Sequence, residues 1–138
     1  MLSTQIYHPI SNDEYNITSK MDFVVPLKKV GLITRAVLEA IHLLYKPKRI
    51  IIVSMRSEGD ILKSLVSSWA VGRVEFIEEE LFFQPNFNLT IYNIIEQYDK
   101  FREGDQREPG WWIQQLIKLG AASQISDLSD DYVVWDGK

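Results

Sequence analysis

The chain has 138 residues, 46% apolar and 25% charged, a profile that suits one domain with a core of ordinary size. A formal charge of −4 argues against nucleic acid as the main partner, because phosphate-backbone binding needs a basic face. The absence of Cys excludes disulfides, thiolate nucleophiles and Cys-based zinc sites, and two widely separated histidines, His8 and His42, cannot build a His-rich metal centre.

Residues 1–21 show no sustained period and read as an N-terminal arm. No basic-then-apolar leader and no membrane-spanning run is visible, so a cytoplasmic location is expected. Residues 22–138 read as one α/β domain. Asp22-Phe-Val-Val-Pro-Leu27 is a short apolar run suited to a buried strand. From Leu32 the period changes to that of a helix, with Ile33, Val37, Ile41 and Leu44 on one face, and Pro47 stops it beyond Tyr45. Arg49-Ile-Ile-Ile-Val-Ser54 is β-branched without polar alternation, as in a strand covered on both faces. Ser57 stands where an N-cap belongs, and Ile61, Leu65, Val66 and Trp69 carry a helix that Gly72 ends. Arg73-Val-Glu-Phe-Ile77 predicts a third strand, and Glu78 to Phe87 an acidic, then aromatic loop. Asn88 is placed to cap a helix through about Phe101. A charged connector, Arg102 to Pro109, leads to a last helix from Gly110 to about Ala122, and Asp131-Tyr-Val-Val-Trp-Asp136 predicts a fourth strand. The order β-α-β-α-β-α-α-β implies a Rossmann-like α/β fold, with a parallel sheet of about four strands and helices on both faces.

Three common chemistries of such sheets are missing. There is no G-x-G-x-x-G after the first strand, no G-x-x-x-x-G-K-[ST], and no G-x-S-x-G elbow. Ligands of open α/β sheets bind at the carboxyl ends of the strands, so residues there are the candidates. Pro26, Leu27 and Lys28 follow the first strand, and Lys28 and Lys29 either reach a phosphate or are simply solvated. Arg107 precedes the last helix, where a backbone dipole and a guanidinium together favour an anion; a surface charge in a charged loop explains it equally well. Trp111 and Trp112 lie about 100° apart on a helix, so one is expected in the core and the other near a cleft. Gln115 follows Trp111 by four residues and Gln114 precedes Lys118 by four, so an amide and an ammonium either face a cleft or form a solvated helix face. Glu78, Glu79 and Glu80 look like a catalytic cluster, but a charge run is more often a solvated surface, which is the expectation here. Asp136, at the end of the last strand, is either a metal or diphosphate ligand or an ordinary turn former.

Taken together, Asp22-Phe-Val-Val-Pro, Ile50-Ile-Ile-Val-Ser, Val74-Glu-Phe-Ile, the Gly110-Trp-Trp-x-Gln-Gln-Leu-x-Lys118 helix with its preceding Arg107, and Trp135-Asp-Gly137 resemble the N-terminal half of nucleotide-diphospho-sugar transferases with a GT-A fold. The Trp-Gln-Gln helix and the Val-Trp-Asp-Gly strand end are the distinctive parts. The resemblance implies transfer of a sugar from a nucleotide-sugar donor to an unknown acceptor. It further implies a divalent cation, Mn²⁺ or Mg²⁺, held at a D-x-D element whose first carboxylate is Asp136. The family pattern has an acidic residue where Lys138 stands, and it continues into a second half that this sequence lacks, so a cation is expected only in a complete version of the site. The alternative is a non-catalytic α/β ligand-binding or protein-interaction module. If the second half is lacking, the last strand lies against an unpaired side of the sheet, and a homodimer through that edge is expected.

Overall fold

The structure, a computed structural model, describes residues 11–137; Lys138, His8 and the first ten residues of the expected arm lie outside the described residues. Four parallel strands, β1 (Asp22–Leu27), β2 (Arg49–Ser54), β3 (Val74–Glu78) and β4 (Tyr132–Val134), form one sheet in the order β3-β2-β1-β4. Asp22 stands opposite both Arg49 and Tyr132, and Leu27 opposite Ser54. Every residue of β1 and β2 is buried, which explains their unbroken apolar character: both faces of these central strands are covered.

The two faces carry separate cores. Phe23, Val25, Leu27, Ile50 and Ile52 point to one side and meet Leu38 and Ile41 of α2 (Thr34–Tyr45) and Leu62 of α3 (Arg56–Leu65). Val24, Ile51 and Val53 point to the other and meet Ile91 of α5 (Ile91–Phe101) and Ile113, Ile117 and Ala121 of α6 (Pro109–Gln124). This division follows from handedness. Two right-handed crossovers through α2 and α3 move the chain from β1 outward to β3 over one face, and the return to β4, on the far side of β1, must use the opposite face. The expected Rossmann-like parallel sheet with helices on both faces is the observed architecture.

Local boundaries differ where capping decides them. The arm contains a helix, α1 (Asn12–Thr18), because Ser11 and Glu14 form a reciprocal capping box. Helix α3 starts at Arg56, so Ser57 lies in its first turn rather than at its cap, and Trp69 follows a single 3-10 turn beyond its end. The stretch after β3 is ordered as a 3-10 turn, Glu79–Leu81, and a short helix, α4 (Gln84–Phe87). Asn88 ends α4 in a left-handed conformation instead of capping α5, and Thr90 makes that cap with Asn93. Gly72, with φ +65°, packs so closely on the His42 ring that an added Cβ would come within 2.6 Å of it, which gives His42 a structural role.

At the amino end of the sheet a buried ion pair joins its elements. Arg49 donates from Nε and Nη2 to the two carboxylate oxygens of Asp22, each at 2.9 Å, and also to Glu75 and to the carboxylate and carbonyl of Asp127. Burial acts to raise the Asp22 pKa, but the hydrogen bonds from Arg49 and from the Ser129 N–H outweigh it and hold the carboxylate below its usual range. This network lies at the end of the strands opposite to their carboxyl ends.

Candidate ligand-binding site

The residues that immediately follow three strands converge at the carboxyl end of the sheet. Lys28 follows β1, Met55 follows β2 and Glu79 follows β3, and all three line one cavity of about 260 Å³. Helices α5 and α6 close it with Ile91, Tyr92, Ile95, Gly110, Ile113 and Gln114. A second cleft of about 360 Å³ shares Lys28, Gly110 and Gln114 and adds Arg107, Glu108 and Trp111. The site is therefore bipartite: a deep, mostly apolar chamber and an outer cationic cleft at the amino end of α6.

The connector before α6 is what positions Arg107. Asp105 accepts from the Arg107 backbone N–H at 3.0 Å and from Trp112 Nε1 at 2.9 Å, and the Tyr98 hydroxyl donates to the Arg107 carbonyl at 2.7 Å. These bonds, the Arg107 N–H first, lower the Asp105 pKa, so the carboxylate stays charged well into acid. The Trp111 and Trp112 rings meet edge to face, 4.7 Å between centroids at 90°. The Arg107 guanidinium lies over both, 4.6 Å from Trp111 and 5.4 Å from Trp112. Trp111 lines the outer cleft, whereas Trp112 is half-buried against the connector and belongs to neither core, which corrects the expectation that one indole is a core residue.

Each carboxylate of the Glu78–Glu80 run has its own position, and the expectation of a solvated charge run does not hold. Glu78 pairs with Arg56 at 3.7 Å. Glu80 accepts from the Arg56 backbone N–H at 3.1 and 3.2 Å, supplying from a distance the cap that α3 lacks locally, since Met55 makes no side-chain cap bond. Glu79 is only 8% exposed and faces the deep chamber. Burial, reinforced by the charge of Glu80 and opposed by Lys28, pushes its pKa up to about 7.

Of the other sequence candidates, Lys28, Arg107 and Trp111 come together in the outer cleft. Pro26 and Leu27 are buried, and the Leu27 side chain joins the α2–α3 core, so neither side chain lines either chamber. Gln115 is half-buried outside both chambers, while its neighbour Gln114, 4% exposed, lines both. Lys118 and Asp136 pair with each other at 3.3 Å beside β4 and also line neither chamber. Asp136 is thus a single carboxylate facing an ammonium, and among the described residues no group of three or more His, Cys, Asp or Glu is placed to hold a metal ion. The Gly that follows is required by packing, because a Cβ on Gly137 would come within 2.5 Å of the Pro26 carbonyl oxygen.

Fold and cleft together define a Rossmann-like α/β protein with a ligand-sized opening at the carboxyl end of its parallel sheet. No family model, no curated protein and no solved structure matches the chain. Among the described residues no helix is long and apolar enough to cross a membrane.

Proposed function

We propose that the protein is an α/β ligand-binding module whose outer cleft holds the diphosphate of a nucleotide diphosphate sugar. The observation that carries this reading is the meeting of Lys28 and Arg107 on one cleft with Trp111 and the amino end of α6. Two cations against the one Glu108 carboxylate, with the positive end of a 16-residue helix dipole, leave the cleft a net preference for an anion. The Arg107 fork suits phosphate oxygens, and an indole beside it offers a flat wall to a ring. Asp105 and Tyr98 hold the Arg107 backbone and the indoles lie under its guanidinium, so part of the ordering an anion would require is already in place.

Calorimetric titration with UDP-glucose, GDP-mannose and inorganic pyrophosphate tests the reading. Binding is expected without added metal, weakened about tenfold or more by Arg107→Ala and by Lys28→Ala. Absence of binding heat from all three compounds would sink it.

A second reading, glycosyl transfer, has its own support in the position of Trp135-Asp-Gly137 at the end of β4, next to β1, in the motif context that resembles nucleotide-diphospho-sugar transferases. Its signature is different. Donor binding would require Mn²⁺ and would be lost in Asp136→Ala, whereas metal-independent binding insensitive to Asp136 favours the module.

A further inference from the structure

Glu79 and Gln114 both line the deep chamber, one from the turn after β3 and the other from α6. They are 8% and 4% exposed, and neither the carboxyl nor the amide has a hydrogen-bond partner among the described residues. Neither is sealed away, because the only fully enclosed polar side-chain atom without a partner among the described residues is Oε1 of Gln124. Both groups therefore keep solvent contact only through the chamber, where a ligand group can take the place of that water as their hydrogen-bond partner. The remaining walls are apolar, with Met55, Ile91, Ile95 and Ile113. An apolar chamber with a few converging polar groups is the usual form of a small-molecule subsite.

We propose that this deep chamber is a recognition subsite of its own, taking an uncharged group that donates hydrogen bonds, held by the Glu79 carboxyl and the Gln114 amide. The choice of an uncharged group follows from charge. Lys28 lines the same chamber and already balances one carboxylate, so a cationic ligand end would meet an ammonium at the entrance. A second carboxylate or phosphate there would face Glu79 itself. A hydroxyl or an amide N–H donates to the carboxyl while the Gln114 amide supplies both a donor and an acceptor beside it. The inference rests on the cleft being a ligand site and assigns its inner half, independently of what the outer half binds.

Protein-observed NMR on the full chain tests it with four probes at millimolar concentration: uridine and glucose as uncharged donors, ethanolamine as a cation and inorganic pyrophosphate as an anion. Uridine or glucose is expected to shift the Gln114 side-chain amide and the Ile113 N–H. Glu79→Leu, which fills the chamber wall with an apolar side chain, is expected to weaken that binding about tenfold, and Gln114→Leu tests the same claim at the other residue. Affinity for the uncharged probe should rise through about pH 7, where Glu79 ionises, and stay flat in Glu79→Leu. Lys28, Glu80 and Tyr92 are the other titratable groups that face it. Silence of both uncharged probes, shifts with ethanolamine alone, or a pH-independent affinity would each overturn the proposal. If uridine or glucose binds and pyrophosphate does not, the inner subsite stands and the diphosphate reading of the outer cleft falls.

Discussion

Glu79 shows how a single residue acquires chemistry from its surroundings. Its neighbours Glu78 and Glu80 keep ordinary surface and capping roles, yet one position on the 3-10 turn faces inward and loses water. A carboxyl whose folded pKa is raised from 4.5 to about 7 binds more protons folded than unfolded across that interval. Its contribution to stability is therefore full below about pH 4.5 and is lost as the pH rises through about 7. Glu79→Gln, which cannot ionise, is expected to be more stable than the wild type at pH 8 by about 1–3 kcal/mol, with the gap closing in acid. Urea titrations of both proteins across that range measure it; equal stabilities at pH 8 would mean that the carboxyl is solvated after all.

Among the elements, α5 and α6 form the wall that the ligand would meet, and their ends are set by different means. Helix α5 starts on a reciprocal box in which the Thr90 hydroxyl accepts from the Asn93 N–H at 3.3 Å and the Asn93 side chain accepts from the Thr90 N–H at 2.9 Å. Thr90→Ala removes half of that exchange and is expected to cost about 1 kcal/mol, read from the chemical denaturation midpoint. Because Ile91 of the first turn and Ile95 of the second line the deep chamber, the same variant should raise hydrogen exchange at those two amides more than in the β1–β2 core. Helix α6 has no side-chain cap at Glu108; Pro109 starts it, where a missing N–H costs nothing. Its first turn is steadied instead by the connector, through Asp105 and the Arg107–indole stack.

For the molecule as a whole, the buried ion-pair network and the candidate cleft occupy opposite ends of the sheet. Arg49 and Asp22, 2% and 0% exposed at their side chains, tie β1 and β2 to the segment before β4 at the amino end. Removing one partner would leave a buried charge uncompensated, so Arg49→Ala is expected to lose about 3–5 kcal/mol, whereas an Arg49→Met, Asp22→Leu double variant should recover much of it. Thermal denaturation of the three proteins checks this; a single variant as stable as the wild type would show that the pair adds little. With that end locked, the carboxyl ends of the strands carry their residues into a cleft rather than into packing. Strands β3 and β4 are the sheet edges, and β4 is only three residues long, so the edge expected to favour a dimer offers a short pairing surface.

The strands and helices were legible in order and number of core elements because hydrophobic period is a local property, and the unbroken apolar runs at 22–27 and 49–54 announce central strands without further help. Lys28, Arg107 and Trp111 were legible as candidates because each sits at an element end where α/β sheets meet ligands. The boxes Ser11-x-x-Glu14 and Thr90-x-x-Asn93 were written in the sequence as cap signals, and they would have placed α1 and the start of α5. What no window of sequence contains is the separation of Glu79 from its two neighbours, the choice of Gln114 over Gln115, or the pairing of Asp136 with Lys118. Each depends on distances between elements far apart in the chain, and burial, pKa and charge balance exist only once those elements are packed.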